Sequence, residues 1–186
     1  METKRQIRHY ILEARSKLSK EECENNSRHI IQKVLESEKF KNAHAILVYI
    51  DYNKEVETRE LIKQAWKFGK RVYAPKTDET AISFHLLQEF EELRAGLKGI
   101  LEPAENSEEW ETSLLSETLM IMPGVVFDKQ KHRIGYGRGY YDRFLAKTPG
   151  LSTIAICFEC QLLDTIPYEE FDYIPDVLYT EAQTIE

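Results

Sequence analysis

The six residues Ala45-Ile-Leu-Val-Tyr-Ile50 form an unbroken apolar run between polar flanks. An extended segment without polar alternation is stable only when both of its faces are covered, so this run implies a strand inside a layered structure. Thr58 to Phe68, stopped by Gly69, then reads as a helix. The short stretches Val72–Ala74, Ser83–Leu87, Thr118–Met122, Ser152–Phe158 and Val177–Thr180 continue the pattern, with helical segments between them. Buried strands alternating with helices predict an α/β fold, a three-layer sandwich around a mostly parallel sheet. With 186 residues, 42% of them hydrophobic, the chain has material for one core, and a single domain over 1–186 is expected. It has neither a run of about 18 apolar residues nor an apolar leader behind Met1, which predicts a cytoplasmic protein without a membrane partner.

From Lys4, the positions Ile7, Tyr10, Ile11, Ala14 and Leu18 recur at three- and four-residue spacing and predict the packed face of a first helix. Lys4, Arg5 and Arg8 crowd its first turns against the helix dipole, a small hint of an anion nearby. Ser19-Lys-Glu-Glu22 has the spacing of a capping box and starts a second helix that buries Ile30, Ile31 and Val34. Residues 78–117 hold eleven acids against Arg94 and Lys98 and read as a surface excursion with a short hairpin and a loop over Gly96–Pro103. Cys157 and Cys160 have the spacing of half a zinc site, but no second pair exists. The expected reading is a buried strand cysteine followed by an exposed one.

The net charge is −7, yet residues 1–20 hold six Lys/Arg against two acids and residues 128–147 again six against two, while residues 159–186 hold eight acids and no Lys or Arg. Two basic segments in an acidic protein suit a local anionic ligand better than a nucleic acid. The second segment lies in the most informative stretch, Met122-Pro-Gly-Val-Val-Phe-Asp128 followed by Arg133-Ile-Gly-Tyr-Gly-Arg-Gly-Tyr-Tyr-Asp-Arg143. Gly135, Gly137 and Gly139 alternate before helical character resumes at Tyr140–Ala146. Such glycines let the backbone approach an anion, and the helix start beyond them offers unpaired N–H groups. Arg133 and Arg138 add planar donors suited to phosphate oxygens. The spacing matches neither G-x-G-x-x-G nor a P-loop. Asp142 falls in the first helical turn, where it either holds Mg2+ beside bound phosphates or stabilises the helix N-terminus.

These residues resemble the 5-formyltetrahydrofolate cyclo-ligase family, also called methenyltetrahydrofolate synthetase. The specific part is Met122-Pro-Gly124, Phe127-Asp128, Arg133-Ile-Gly135 and Gly137-Arg-Gly139-Tyr-Tyr-Asp142. Weaker pieces are Lys4-Arg5 with Arg8, Ile50 with Glu55-Val-Glu-Thr58, Gly99-Ile-Leu-Glu102-Pro103, and Pro167, Asp172 and Asp176-Val-Leu-Tyr-Thr-Glu181. One departure is Lys131, where relatives usually carry Gly, and it bears on the shape of that turn. The resemblance implies a sandwich similar to the NagB/RpiA/CoA-transferase-like fold. It implies an ATP site over Lys4, Arg5, Gln6, Ile7 and Arg8 and over Arg133, Ile134, Gly135, Tyr136, Gly137, Arg138, Gly139, Tyr140 and Tyr141, with Arg138 and Tyr140 catalytic. Folate contacts carry over to Ile50, Glu55, Tyr136, Gly137, Arg138, Gly139 and Tyr140, and Mg2+ ligands to Asp142 and Asp172. Trp110 reads as packing rather than as part of a pterin pocket.

In that family ATP activates the formyl amide of 5-formyltetrahydrofolate. The γ-phosphoryl group passes to the formyl oxygen, nitrogen 10 of the substrate attacks the formyl carbon, and phosphate leaves to give 5,10-methenyltetrahydrofolate. Both nucleophiles belong to the substrate, in keeping with a sequence that lacks a Ser-His-Asp or Cys-His set. The partners implied are these small molecules, with no nucleic acid, acting on a monomer, or alternatively a dimer. Two other readings stay open from the residues alone. One is an isomerase or CoA-thioester module on a similar scaffold, recruiting Glu55 or Asp128 as acid or base. The other is a single-stranded nucleic-acid module built on Gly-Tyr-Arg, which the acidic total charge opposes.

Overall fold

Thr3 opens helix α1 (Lys4–Ser16): its hydroxyl accepts the Gln6 N–H while the Gln6 side chain accepts the Thr3 N–H. Ser19 and Glu22 make the same reciprocal box at the start of α2 (Lys20–Glu36), as their spacing predicts. These come from a computed structural model that describes residues 3–96, 99–104 and 106–186. The buried stripe of α1 differs from the expected one. Ile7, Ile11 and Arg15 are buried along a single i, i+4 row, whereas Tyr10 is 66% exposed. The stripe is narrow because α1 does not lie on the main core. Ile7 and Ile11 instead join Val125, Val126, Ile134 and Ile166 in a small cluster of their own.

After α3 (Glu38–Asn42) come β1 (Ala45–Val48), α4 (Arg59–Lys67), β2 (Arg71–Thr77) and β3 (Ile82–Leu86). The hairpin β4 (Arg94–Ala95) and β5 (Leu101–Glu102) precedes β6 (Thr118–Met122), β7 (Val126–Asp128), β8 (Arg133–Ile134) and α5 (Tyr140–Lys147). The chain closes with β9 (Ser152–Ile156), β10 (Leu162–Leu163), β11 (Val177–Tyr179) and β12 (Thr184–Ile185). The main sheet has the order β12-β11-β9-β6-β1-β2-β3. Strands β11, β9, β6, β1 and β2 are parallel, and antiparallel β12 and β3 close the edges.

Alternate residues of the central strands feed opposite layers, as pleating requires. Ile46, Val48, Leu119, Ile121, Ile154 and Ile156 pack with Ile30 and Val34 of α2 and Leu61 and Ile62 of α4. Ala45, Leu47, Met120, Met122 and Ala155 pack with Phe84, Trp110 and Leu145 of α5. That is the three-layer α/β sandwich expected from the apolar runs. Trp110 is buried there, donating Nε1 to Thr118 Oγ1 at 3.0 Å with its ring 5.8 Å from that of Phe144, so it packs. The loop expected over Gly96–Pro103 spans the β4–β5 hairpin, and its residues 97 and 98 lie outside the described ones. Cys157 is buried, while Cys160 is half-buried rather than exposed because it packs against the core. No helix among the described residues is long and apolar enough to cross a membrane.

Strand β7 ends on Asp128, which is fully buried. Its carboxylate accepts the N–H groups of Gln130 (3.0 Å), His132 (2.9 Å) and Ile166 (3.1 Å), and it sits 2.9 Å from His132 Nδ1. These bonds pin a turn in which Lys131 takes φ 69°. This is the left-handed region that glycine enters most readily, so the turn keeps the shape expected of a glycine at that position. With its lone pairs engaged, Asp128 serves the fold. Asp128→Asn is expected to lower the unfolding free energy by about 1–3 kcal/mol, since an amide cannot accept at both ends. Turnover should stay within about twofold, whereas an acid–base role would lose most of it; urea titration and steady-state rates distinguish the two.

Candidate active site

Ligands of open parallel sheets collect beyond the carboxyl ends of the strands. Here those ends lead into Tyr49–Ile50 after β1, Pro123–Gly124 after β6 and Cys157 after β9. A Cβ on Gly124 would collide with the Phe127 ring, which is why the bend needs glycine. Buried Gln161 secures it by donating Nε2 to the carbonyls of Gly124 (2.9 Å) and Val125 (3.0 Å). The β7–β8 pair then delivers the chain into the glycine loop. Gly137 (φ 95°) and Gly139 (φ 64°) adopt left-handed backbone there, and Gly139 is the residue on which α5 starts.

The first basic segment meets this loop across the fold. Arg8 Nε donates to the Gly135 carbonyl at 2.7 Å, and its guanidinium lies 3.4 Å from where a Cβ on Gly137 would be. Lys4 pairs with Asp172 at 2.7 Å and Glu169 at 3.2 Å. Burial pulls the Lys4 pKa down, but the two carboxylates outweigh it and hold it above the ordinary lysine value. Arg133, buried, donates Nη2 to Asp142 Oδ1 at 2.7 Å, and its Nε has no partner among the described residues. The Tyr173 N–H reaches the same Asp142 oxygen at 3.4 Å, which places Asp142 beside the segment that carries Asp172. Arg133 also lies 5.7 Å over the ring of Tyr141.

Arg138 is exposed, and its carbonyl accepts Arg143 Nη1 at 2.8 Å. Arg143 Nη2 and the Tyr140 hydroxyl tie the loop to the β2–β3 turn through the carbonyls of Thr80 and Asp78, each at 2.8 Å. Arg5 is exposed and Gln6 is taken up by the helix cap. Ile7, Ile134 and Ile50 have buried side chains. Any ligand contact at those three positions therefore runs through the backbone or through packing behind it.

Glu55 is buried, accepting the Tyr136 hydroxyl at 3.0 Å and the Tyr52 N–H at 3.1 Å. Burial pushes its carboxyl up to about 7, against the pull of Arg15 and these hydrogen bonds. Burial and the Glu55 charge likewise push the Tyr136 phenol up to about 12. Glu55 opens onto a cleft of about 360 Å³ whose walls include Leu18, Cys23, Asp51 and Tyr52. Tyr136 thus joins the glycine loop to the carboxylate that the resemblance gives to folate. Sequence reasoning missed Arg15, whose Nη2 donates to the Tyr136 hydroxyl at 2.9 Å. Its signal was positional, four residues beyond Ile11 on the row that begins at Ile7.

The profile of the 5-formyltetrahydrofolate cyclo-ligase family matches residues 1–181. The chain belongs to this family. Its relatives include the 5-formyltetrahydrofolate cyclo-ligase of Mus musculus, 30% identical over 191 residues, covering 96% of this chain and 94% of the mouse protein. The enzyme of the same name from Escherichia coli K12 is 30% identical, covering 77% and 81% of the two chains. Among solved structures, the 5,10-methenyltetrahydrofolate synthetase of Aquifex aeolicus superposes with a TM-score of 0.85 at 29% identity, covering 97% of this chain and 91% of that one. The synthetase of Mycoplasma pneumoniae, 23% identical with a TM-score of 0.77 over 97% and 99% of the two chains, shares the fold. Family membership and fold agree with what the glycine loop implied.

Proposed function

We propose that this family member is an ATP- and Mg2+-dependent 5-formyltetrahydrofolate cyclo-ligase, a single cytoplasmic domain that closes its substrate to 5,10-methenyltetrahydrofolate with release of ADP and phosphate. The observation that carries this reading is the Tyr136 bridge. It joins a loop suited to phosphates to a buried carboxylate suited to N–H donors, which supports reading the two as one site. The loop fits a nucleotide's phosphates because Arg8, Arg133 and Arg138 surround or border it and because Gly137 and Gly139 leave its backbone bare of side chains.

The residues also fit Mg2+, which takes one or two carboxylates and completes its shell with phosphate oxygens and water. Asp142 and Asp172 offer such a pair: the Tyr173 N–H that reaches Asp142 belongs to the residue after Asp172, and each carboxylate already holds a cationic partner. Among the described residues no group of three or more possible metal ligands exists, which suits an ion whose shell is completed by phosphate oxygens and water. When bound, the ion supplies neutralising charge at the phosphates.

The chain's own residues position and exclude. Arg138 and the loop N–H groups stabilise charge on the transferring phosphoryl group, Glu55 orients the pteridine, and the cleft keeps bulk water from the activated formyl group. The test is absorbance in the band of the methenyl product after mixing protein, 5-formyltetrahydrofolate, Mg2+ and ATP. Product should form with ATP and not without it. Turnover of a sugar phosphate without nucleotide would instead favour the isomerase reading.

A further inference from the structure

Arg15 is 1% exposed, yet its partners are neutral oxygens: the Asn53 carbonyl at 3.0 Å and the Tyr136 hydroxyl at 2.9 Å, both reached from Nη2. Its Nη1 is buried with no partner among the described residues. A guanidinium held this way is costly for the fold alone, because a buried cation wants its donors satisfied and a counter-charge close by. The compensating charge is Glu55, one hydroxyl away through Tyr136. Arg15 and Glu55 line the same recess, too narrow as it stands to hold a water molecule, with Tyr49, Pro123, Gly124 and Gln161 at the carboxyl ends of the parallel strands. Glu55 also lines the adjoining cleft of about 360 Å³.

The hydrogen-bond inventory of this pair is specific. A carboxylate accepts about four hydrogen bonds, and Glu55 has two donors from the protein, one on each oxygen. About two acceptor positions therefore remain, next to a guanidinium nitrogen with nothing to donate to. The pyrimidine edge of a reduced folate presents, in order, the 2-amino donor, the N3–H donor and the 4-oxo acceptor. Adenine has no such order, since its 6-amino donor is followed by the N1 acceptor.

We propose that Arg15 and Glu55 together read the pyrimidine edge of the folate pteridine, Glu55 accepting from the 2-amino group and N3–H, and Arg15 Nη1 donating to the 4-oxo oxygen. The inference rests on the folate reading of this site and makes Arg15 the residue that distinguishes a 4-oxo from a 4-amino pteridine. Tyr136 holds the two side chains at the required spacing. A 4-amino ring would turn a donor toward Arg15 and remove the N3 proton from Glu55, leaving both groups unmatched.

The experiment is equilibrium binding without ATP, by calorimetry, of 5-formyltetrahydrofolate and its 4-amino-4-deoxy analogue to the native protein and to R15M. The native protein should prefer the 4-oxo compound by about 30-fold or more, in line with a charge-assisted bond. R15M should lose about 10- to 100-fold in 4-oxo affinity while changing less than about threefold for the 4-amino compound. An equal loss for both ligands, or none, overturns the assignment. Should R15M fail to fold, R15K takes its place with the same two ligands and the same criterion, and equal affinity of the native protein for the two ligands also overturns the assignment. Failure of the functional reading is separable: it would appear as absent ATP-dependent turnover of 5-formyltetrahydrofolate by the native protein. Turnover accompanied by indifference to the 4-position counts against the Arg15–Glu55 assignment and leaves the functional reading standing.

Discussion

Arg138→Ala is expected to lower ATP-dependent turnover by about 100- to 1000-fold while leaving the urea unfolding midpoint where it is. The backbone of Arg138 serves the fold, since its carbonyl accepts Arg143 Nη1. Its side chain is exposed and is free to meet charge that develops on a transferring phosphoryl group. Alanine keeps the carbonyl and deletes the donors. Asp142→Ala provides the contrast. Asp142 is the only ion-pair partner of Arg133 among the described residues, at 2.7 Å. Removing it strands a buried guanidinium whose Nε is already unpartnered. That variant should lose turnover and also about 3 kcal/mol of stability. Activity that survives Arg138→Ala, measured on protein with a native melting curve, removes Arg138 from the machinery. A stability loss shared by both variants would mean that the loop, rather than the donor, had been damaged.

The residues that face one another here were legible in the sequence to very different degrees. β1 could be read because an apolar run without alternation has few other fates, and α2 because Ser19 and Glu22 satisfy each other's backbone within one turn. The glycine loop could be read because left-handed backbone at Gly137 and Gly139 is a local demand. The pairs β7–β8 and β10–β7 were not legible: strands of two or three residues carry no periodicity, and tertiary packing alone defines them. Nor did sequence spacing reveal that Arg8 would touch Gly135, because that contact exists only after α1 docks on a segment 127 residues away. Arg15 was hidden for a different reason. A charged residue ending an apolar row reads as the edge of a helix face until its burial is seen, and here the row leads into the site.

Glu55→Gln should change how stability and binding depend on pH. The folded-state pKa of Glu55 is pushed by burial from 4.5 up to about 7. Between those values the folded chain holds a proton that the unfolded chain has released. Native stability therefore falls as pH rises through this window, by at most about 3 kcal/mol from this group, and levels off above it. The glutamine side chain of the variant has no such proton to lose. In urea titrations the difference between the variant and the native protein should grow in the variant's favour by about 2–3 kcal/mol from pH 5 to pH 8. Binding should move the opposite way. The pteridine donors prefer the ionised carboxylate, so the native KM for 5-formyltetrahydrofolate should fall as pH rises from 6 to 8. The variant's KM should be flat and about 30- to 100-fold higher at pH 8, with a smaller effect on kcat. The two slopes share one proton, so they test one claim. If native KM is flat while the stability slope is present, Glu55 is a buried acid that the substrate does not touch.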